Sequence, residues 1–370
     1  MNEKRIRILF AIPRFSVGGA EKLLVHQLRA IDRGRFAPVL ITLFAEQKDS
    51  LTNEVRIDRC FGFRSTLDFL RLPSVISYLR KEKFDVVVTH LFSANFLVRI
   101  AAVLAGVSTI VSYEHNIYPN KRWWQIFMDK LLSLFTVRII ADSEAARVFT
   151  AKQEGIPLEK FVTLYVPPLL EKKESRSEDS VRAELGIPDD HKVVLTVSRL
   201  VIDKGHTYLI DAAQKILKDH PNTTFLLVGW GPLEGELREH AKRLGIEDRV
   251  LLPGRMDIQE VLPLADVYAD PSVSTDLPIA IMEAMREGKA IVATRIGDIA
   301  RFIEDKKTGL LAEPRDPESL SLKIKILLEN AQLAAQFGEE ARRRVEGYSL
   351  PAYMKSFEEL IVNLYESHTH

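Results

Sequence analysis

The feature that most constrains this fold is a rhythm of short β-branched runs separated by stretches long enough for a helix. In the first half of the chain the runs lie at residues 6–12, 39–43, 86–89, 109–112 and 138–141. In the second half they lie at residues 193–197, 225–228, 250–252, 267–269 and 291–293. Strands that alternate with helices form βαβ units, in which the strands are parallel. The sequence therefore predicts an α/β protein with a doubly wound parallel sheet in each half.

The length of the chain and a change in its composition predict where the two halves divide. A chain of 370 residues exceeds what one hydrophobic core usually supports. Residues 171–179 are dense in Lys, Glu, Ser and Asp and have almost nothing to bury. Near the end of the chain, Met354, Phe357, Ile361 and Leu364 form an apolar stripe at helical spacing. We therefore predict two Rossmann-like domains at 1–168 and 191–347, a linker at 169–190, and a terminal helix within 348–370.

The charge and cysteine content exclude several classes of protein. Basic and acidic side chains balance at 51 each, whereas nucleic-acid-binding domains usually carry a basic surplus, so we expect no nucleic-acid partner. The single cysteine, Cys60, excludes an intrachain disulfide and does not make a zinc site. The longest apolar stretch, residues 100–111, is shorter than the ~20 residues of a membrane span. These observations indicate a cytoplasmic protein.

Two glycines, Gly18 and Gly19, occupy the first strand-to-helix turn. Backbone N–H groups at such a turn can approach an anion closely, and the helix N-terminus adds the positive end of its dipole. A flexible turn without a ligand explains the same glycines equally well, because short glycine motifs are weak signals. The turn is therefore a candidate phosphate site with an open structural alternative.

The loop after the first strand of the second half carries two cations, Arg199 and Lys204, and Gly205 follows. Residues just past the carboxyl end of a parallel strand line the crevice where such sheets bind ligands. An arginine and a lysine at this place are suited to clamp a diphosphate. The alternative is a solvated loop with two surface charges.

A second glycine turn follows the next strand, at Gly229 and Gly231. It fails as a dinucleotide-binding G-x-G-x-x-G motif, because Glu234 occupies the third glycine position and Pro232 opens the helix. We therefore do not expect a nicotinamide-dependent enzyme.

The most informative segment is a polar loop that enters a helix within residues 270–285. Glu283 stands in the first turns of that helix, and Ile281 and Met285 are spaced to pack inward. A carboxylate at this place can accept two hydrogen bonds from a vicinal diol such as the 2′ and 3′ hydroxyls of a ribose. The structural alternative is an acid favoured by the helix dipole.

Taken together, these motifs resemble the retaining glycosyltransferases of family four, which have the GT-B fold. The resemblance is carried by Gly18-Gly19-Ala20-Glu21, Ser198-Arg199-Leu200 with Lys204-Gly205, Gly229-x-Gly231-Pro232, Pro278 with Glu283-Ala284-Met285, and Thr308-Gly309-Leu310-Leu311. The match spans nearly the whole chain. It implies two Rossmann-like domains that face each other across a cleft, with the terminal helix crossing back to the first domain.

The resemblance also implies an activity. A hexosyltransferase of this kind would move a sugar, with retention of anomeric configuration, from a nucleoside-diphosphate sugar, with a UDP-sugar favoured. The acceptor would be a glycan, a lipid-linked acceptor or another cell-surface polysaccharide, as in polysaccharide or lipopolysaccharide biosynthesis. No metal and no cofactor are implied, because cationic side chains and helix N-termini would stabilise the charge on the departing diphosphate.

Site residues follow from the resemblance position by position. Arg199 and Lys204 would hold the diphosphate, and Glu283 would bind the ribose. His115 would contact the transferred sugar, and its structural alternative is a buried histidine satisfied by its neighbours. The implied catalytic set is His115, Arg199, Lys204 and Glu283. The implied donor-binding set is Gly18, Gly19, Gly229, Arg255, Thr275, Asp276, Leu277, Pro278 and Ile279.

The chain departs from the family pattern in the loop before Glu283. Thr275 stands where the family has its first acid, and Asp276 follows where glycine is usual. We expect Asp276 to supply the missing carboxylate and to help select the donor sugar. Two other functions remain open: a non-catalytic relative that keeps the nucleotide site, and a nucleotide-sugar epimerase of the same fold.

Residues 121–135 raise a separate question, because Lys121-Arg122-Trp123-Trp124 precede a run of apolar residues. Such a segment can lie at a bilayer surface with its aromatic side chains at the interface. A crossover helix packed on the sheet has the same spacing, and it is the favoured interpretation because a helix is required here. Peripheral contact with the inner face of the membrane is the alternative.

Overall fold

A computed structural model describes residues 5–15, 18–45, 54–115, 117–168, 176–274 and 277–369 of the chain. The chain divides into two units, each with its own parallel β-sheet. The first unit consists of Met1–Val166 and Leu350–His370, and the second consists of Pro167–Ser349. Both predicted sheets are therefore present, and the predicted fold class is confirmed.

In the described part of the first unit, seven parallel strands lie in the order β3-β2-β1-β4-β5-β6-β7. The strands are β1 Ile6–Ile12, β2 Phe36–Phe44, β3 Arg59–Phe63, β4 Val86–His90, β5 Thr109–Glu114, β6 Arg138–Ala141 and β7 Phe161–Thr163. The helices between them are α1 Gly19–Ala30, α2 Leu72–Glu82, α3 Leu91–Ala105, α4 Trp123–Ser133 and α5 Glu144–Glu154. Short 3₁₀ turns lie at Phe69–Arg71 and Leu158–Lys160.

In the described part of the second unit, six parallel strands lie in the order β10-β9-β8-β11-β12-β13. The strands are β8 Lys192–Val197, β9 Thr223–Val228, β10 Val250–Gly254, β11 Val267–Asp270, β12 Ala290–Thr294 and β13 Leu310–Ala312. The helices are α6 Glu178–Leu185, α7 His206–Leu217, α8 Glu234–Arg243, α9 Ile258–Val261, α10 Ile279–Arg286, α11 Ile299–Phe302, α12 Pro317–Glu329 and α13 Ala331–Val345.

In each sheet there is one point at which the order of strand addition changes direction. In the second sheet, β9 and β10 lie on one side of β8, and β11, β12 and β13 lie on the other. The loops after β8 and β11 therefore leave the sheet side by side at its carboxyl edge, where doubly wound sheets bind their ligands. The equivalent point of the first sheet lies between β1 and β4.

All ten predicted strands lie within observed strands, but three edge strands were not predicted. β7 and β13 have three residues each, too few for a periodic pattern to be detected. β3 contains Gly62 at φ 65°, and glycine weakens a strand signal. Short strands are common at sheet edges, where a long exposed edge would favour aggregation.

Two segments beyond the sheets are helical. α6 lies inside the range 169–190 that we expected to be a linker, and it belongs to the second unit. Its N-terminus is capped by the side chain of Ser177, and Val181 is buried. The predicted terminal helix is present as α14, Leu350–Thr369, which packs in the first unit. None of the described helices is both long and apolar enough to cross a bilayer.

Candidate functional site

The loop after β8 presents the two cations that the sequence predicted as a diphosphate clamp. Arg199 is exposed, and within the described chain its guanidinium group has neither a hydrogen-bond nor a salt-bridge partner. Lys204 ends a 3₁₀ turn at Ile202–Lys204 and is half-buried. Unpaired guanidinium groups at the switch point of a parallel sheet are well placed to bind an anionic ligand.

A buried histidine holds the backbone of this loop in place. Nε2 of His206 lies 3.2 Å from the carbonyl oxygen of Arg199 and 3.0 Å from Oγ of Ser198. Because a carbonyl oxygen can only accept, Nε2 carries the ring proton and donates a hydrogen bond to the carbonyl oxygen of Arg199. Burial lowers the pKa of His206, which favours the neutral ring. Nδ1 of the same ring is buried and has no hydrogen-bond partner in the described chain.

Gly229, directly after β9, allows the loop after β9 to pack closely against the loop after β8. A Cβ atom at Gly229 would lie 1.8 Å from the carbonyl oxygen of Ser198, and the backbone φ there is 150°. Backbone hydrogen bonds join the two loops, from Ser198 N to Val228 O at 3.0 Å and from Leu200 N to Trp230 O at 2.9 Å. Glycine is therefore required here by the packing of one backbone against another. That its backbone faces a nucleotide base stays a prediction.

The loop after β11 is hydrogen-bonded to the loop that carries the cations. Val273 N donates to the carbonyl oxygen of Asp203 at 2.8 Å, and Asp270 accepts from Ser272 N at 3.0 Å. A Cβ atom at Gly205, where φ is 64°, would lie 2.0 Å from the carbonyl oxygen of Pro271. The two loops predicted to hold the donor are therefore packed together at the switch point.

The remaining donor-binding residues of the second unit lie along the same edge. Pro278 is buried at the N-cap of α10, Ile279 begins that helix, and Leu277 precedes them. Glu283 lies half-buried on α10, whose Ile281 and Met285 are fully buried. Thr275 and Asp276 lie outside the described residues, so their predicted roles stay predictions.

Arg255 is a third cation at this edge, directly after β10. Its side chain is exposed and has no partner within the described part of the chain. Gly229 N donates to the carbonyl oxygen of Gly254 at 2.8 Å, which ties the loop after β10 to the loop after β9. The structure thus brings Arg199, Lys204 and Arg255 to one edge of one sheet.

In the first unit, the predicted glycine turn is the N-terminus of α1. Gly18 is the N-cap residue, and among the described residues a Cβ atom at Gly19 would meet nothing within 4 Å. The described residues therefore leave the N-terminus of this helix accessible at Gly19. Glu21 adds an acid to the first turn, where the helix dipole favours it.

The ring of His115 is buried and engaged on both sides. Its Nδ1 lies 2.9 Å from Oδ2 of Asp142, and its Nε2 lies 2.9 Å from Nδ1 of His90. His90, Tyr113 and His115 stack in nearly parallel planes. Burial and the neighbouring His115 hold the pKa of His90 well below its usual value. These contacts favour the structural alternative for the His115 ring, and its contact with a sugar stays a prediction.

Sequence reasoning did not single out His90 or Asp142, although one signal was available. Both residues stand where a strand of the first sheet ends, at β4 and β6, as His115 does at β5. Polar residues at the carboxyl ends of neighbouring parallel strands meet at one edge of the sheet. A search for such residues would have grouped all three. Among the described residues, no group of three or more His, Cys, Asp or Glu side chains is arranged to hold a metal ion.

Comparison with known proteins identifies the class and then the family. The model described as Glycosyltransferase Family 4 matches residues 17–166, and the model described as Glycosyl transferases group 1 matches residues 177–344. The crystal structure of Anabaena HepE in complex with UDP superposes with a TM-score of 0.82 at 24% identity, covering 97% of this chain and 100% of that one.

Two curated relatives align over most of their length. The UDP-Gal:alpha-D-GlcNAc-diphosphoundecaprenol alpha-1,3-galactosyltransferase of Escherichia coli is 26% identical over 331 residues, which is 82% of each chain. The putative glycosyltransferase EpsF of Bacillus subtilis is 25% identical over 372 residues, covering 94% of this chain and 92% of the relative. The protein is thus an enzyme of the glycosyltransferase class with the GT-B fold. It belongs to glycosyltransferase family four, which confirms the resemblance found in the sequence.

Proposed function

We propose that the enzyme transfers a sugar from a UDP-sugar to a glycan or lipid-linked acceptor, with retention of anomeric configuration. The observation that carries this proposal is the pair of cations Arg199 and Lys204 on one loop at the switch point of the second sheet. The name of the E. coli relative gives it a UDP-sugar donor and a lipid-linked acceptor. HepE was crystallised with UDP and with UDP-glucose. Both facts favour UDP over other nucleotides.

The charge that develops during transfer explains why these cations matter. The bond between the sugar's anomeric carbon and the diphosphate breaks, and the diphosphate takes the electron pair. The acceptor's hydroxyl oxygen forms the new bond to the same carbon, and its proton passes to the departing diphosphate. Negative charge therefore grows on the diphosphate, beside Arg199 and Lys204. Cations held in place before the reaction stabilise that charge without reorganisation.

The other residues at this edge would recognise the nucleoside. Glu283 is half-buried on α10, and its carboxylate would accept hydrogen bonds from the two ribose hydroxyls. Arg255 and the backbone at Gly229 would face the base. The predicted role of Gly18 and Gly19, at the N-terminus of α1, in binding an anion through backbone N–H groups stays a prediction.

Titration calorimetry with UDP, GDP and ADP tests the donor proposal. We expect UDP to bind, GDP and ADP to bind at least tenfold more weakly, and Glu283→Gln to weaken UDP binding. The glutamine keeps the size of the side chain but replaces one acceptor oxygen by a donor. Equal binding of all three nucleotides would remove the UDP assignment, and no binding of any would remove the donor site.

Two further measurements address the course of the reaction. NMR of the transfer product reports the anomeric configuration, and an inverted product would contradict retention. Because the proposal relies on Arg199 and Lys204 for charge stabilisation, we expect transfer to continue in the presence of EDTA. Loss of activity with EDTA and its recovery with a divalent cation would show that a metal ion is needed.

We also propose peripheral contact with a membrane through residues 121–135. The sequence favoured a helix packed on the sheet, and α4 does pack there through Trp124, Met128 and Leu132. A second apolar face of the same segment remains exposed. Trp123 is 80% exposed and Phe127 58%, and Leu131, Leu134 and Phe135 are also exposed. Packing on the sheet therefore does not account for this face.

A bilayer with anionic lipid fits the face, because exposed Arg122 and Lys130 flank the apolar stripe and aromatic side chains lie within it. Flotation with phosphatidylcholine vesicles that contain phosphatidylglycerol tests the contact. We expect the wild type to float and Trp123→Glu with Phe127→Glu to stay at the bottom of the gradient. Leu322→Glu, which adds a charge at an exposed leucine of the second unit, is the matched control. Failure of the wild type to float would remove this proposal.

A further inference from the structure

A cavity of about 250 Å³ lies in the first unit beside the end of β5. Its lining combines the aromatic rings of Phe92 and Tyr118 with the polar side chains of Glu114, Asn120, Lys121 and Gln125. None of these residues belongs to the predicted donor site. This volume is large enough for a small ligand such as one sugar ring.

Glu114 is the most constrained polar group of the cavity. Its Oε1 accepts from Nδ2 of Asn95 at 3.2 Å, and the Asn95 amide is itself held by the hydroxyl of Thr89 and the carbonyl oxygen of Tyr113. Its Oε2 lies 3.8 Å from Nζ of Lys121, beyond hydrogen-bond range, and no donor reaches it within the described residues. The carboxylate is therefore held in place, and its Oε2 can still accept a hydrogen bond from a ligand.

The charges around the cavity decide which kind of ligand fits it. Lys121 donates to Asp129 at 3.0 Å and to Glu154 at 2.5 Å, and Arg99 pairs with Asp129 at 3.3 Å. With Glu114, this buried cluster contains two cations and three carboxylates. Burial raises the pKa of Glu154 to about 8 and also raises the pKa of Glu114. Both cations are already paired with carboxylates of this cluster, so neither is left to bind a phosphate or a carboxylate ligand.

We propose that this cavity binds one neutral pyranose ring of the acceptor, an inference that rests on the proposed function. The C–H face of a pyranose packs on aromatic rings such as those of Phe92 and Tyr118. Its hydroxyls donate to the free oxygen of Glu114 and exchange hydrogen bonds with Asn120 and Gln125. A phosphate would bring negative charge next to a buried carboxylate and is disfavoured.

The proposal is tested by saturation-transfer NMR on the full chain, with UDP present to occupy the donor site. The probes are methyl α-glucopyranoside, methyl α-galactopyranoside and N-acetylglucosamine, and inorganic phosphate is the competitor. We expect at least one saccharide to give a signal that phosphate does not reduce. Glu114→Gln, which removes the charge at constant size, and Tyr118→Ala, at a half-buried loop position, should each lower that signal at least fivefold. Lys152→Ala, an exposed substitution on α5, should leave it unchanged.

Three results would overturn the proposal: no signal from any saccharide, a signal that both variants leave intact, or displacement by phosphate. Circular dichroism confirms that each variant is folded, and the isosteric Glu114→Gln keeps the test valid if Tyr118→Ala is unstable. UDP binding by the wild type, measured by calorimetry, tests the donor proposal separately. A protein that binds UDP but no saccharide would lose only the acceptor cavity. If the protein binds a saccharide, the cavity variants weaken that binding and UDP does not bind, then only the donor assignment is wrong.

Discussion

Two arginines of this chain show how the surroundings of a side chain decide its role. Arg99 is fully buried, and its guanidinium group bonds to Thr136 and Asp129. Burial lowers the pKa of Arg99, but the neighbouring carboxylates act in the opposite direction. Arg199 is exposed and has no partner within the described chain. The first arginine is occupied by the fold, whereas the second is available to a ligand.

Substitution of the two loop cations should therefore affect turnover and not folding. We expect Arg199→Ala or Lys204→Ala to lower the transfer rate at least tenfold, because each removes a charge-assisted contact of ~1.5–3 kcal/mol. The melting temperature should change little, since Arg199 is exposed. Steady-state kinetics and thermal unfolding measure the two effects, with Lys218→Ala, at an exposed position directly after α7, as a control. Near-normal rates in both variants would contradict the diphosphate assignment.

The loop between Ser274 and Leu277 is expected to discriminate among donor sugars. Thr275 provides one hydroxyl but not the charge that strengthens a hydrogen bond to a sugar, whereas Asp276 provides a carboxylate. We expect Asp276→Ala to reduce transfer more than it reduces UDP binding, and Thr275→Ala to have little effect. Calorimetry gives the UDP affinity and kinetics give the transfer rate. Small and equal effects from both substitutions would refute the role of Asp276.

At single residues, the sequence identified positions better than it identified contacts. Arg199 and Lys204 were predicted to lie at the carboxyl edge of the second sheet, where the structure places them, because ligand-binding residues of parallel sheets lie just past the strand ends. Their role in binding a diphosphate stays a prediction. The steric role of Gly229 was not predictable, because it depends on the backbone of Ser198, which lies in the loop after a different strand. The pairing of His115 with His90 and Asp142 was missed for the same reason, since three strands contribute to it.

At the scale of elements, prediction succeeded where a pattern was long and failed where it was short. Buried central strands such as β4 and β9 read as continuous apolar runs, because helices cover both faces of the sheet. Three-residue edge strands have no such pattern. α6 was taken for part of a linker because only Val181 of that helix is buried. The apolar residues of α4 form one pattern in the sequence, but in the structure some of them lie on a packed face and others on an exposed face.

The buried charge cluster that joins α3, α4 and α5 makes the stability of the first unit depend on pH. Burial, Asp129 and Glu114 raise the pKa of Glu154 from 4.5 to about 8, and the nearby cations are Lys121 and Arg99. The folded state therefore binds more protons than the unfolded state between these values. By linkage, this contribution to stability is present below pH 4.5 and is lost as the pH rises through 8.

Glu154→Gln should remove that dependence, because the amide has the size of the acid but does not titrate. We expect the free energy of unfolding of the variant, relative to the wild type, to increase between pH 5 and pH 9. Urea denaturation across this range measures the difference. Glu159→Gln, at an exposed position of the first unit, is the control. A difference that is constant with pH would show that Glu154 does not hold the extra proton.

At the scale of the whole molecule, each unit has its own core, but only the first is completed by a distant segment. In α14, the hydroxyl of Tyr353 lies 2.5 Å from that of Tyr113 and accepts from Gln27 at 2.8 Å. Phe357 is fully buried and stacks on Phe10 of β1. The sequence showed that this helix has an apolar face, but the surface that receives it is determined by the folded first sheet.

Separate cores predict separate responses to mutation and to ligand. Phe357→Ala should destabilise the first unit by ~3–5 kcal/mol, the usual cost of truncating a buried phenylalanine. UDP should stabilise the second unit by ~2.7 kcal/mol at a hundred times its dissociation constant. In units of this size, each kcal/mol moves a melting temperature by roughly 2–4 °C. Scanning calorimetry should therefore show two transitions, the first lowered by Phe357→Ala and the second raised by UDP. Phe337→Ala, in the core of the second unit, should lower the transition that UDP raises. A single transition that moves with all three changes would contradict independent cores.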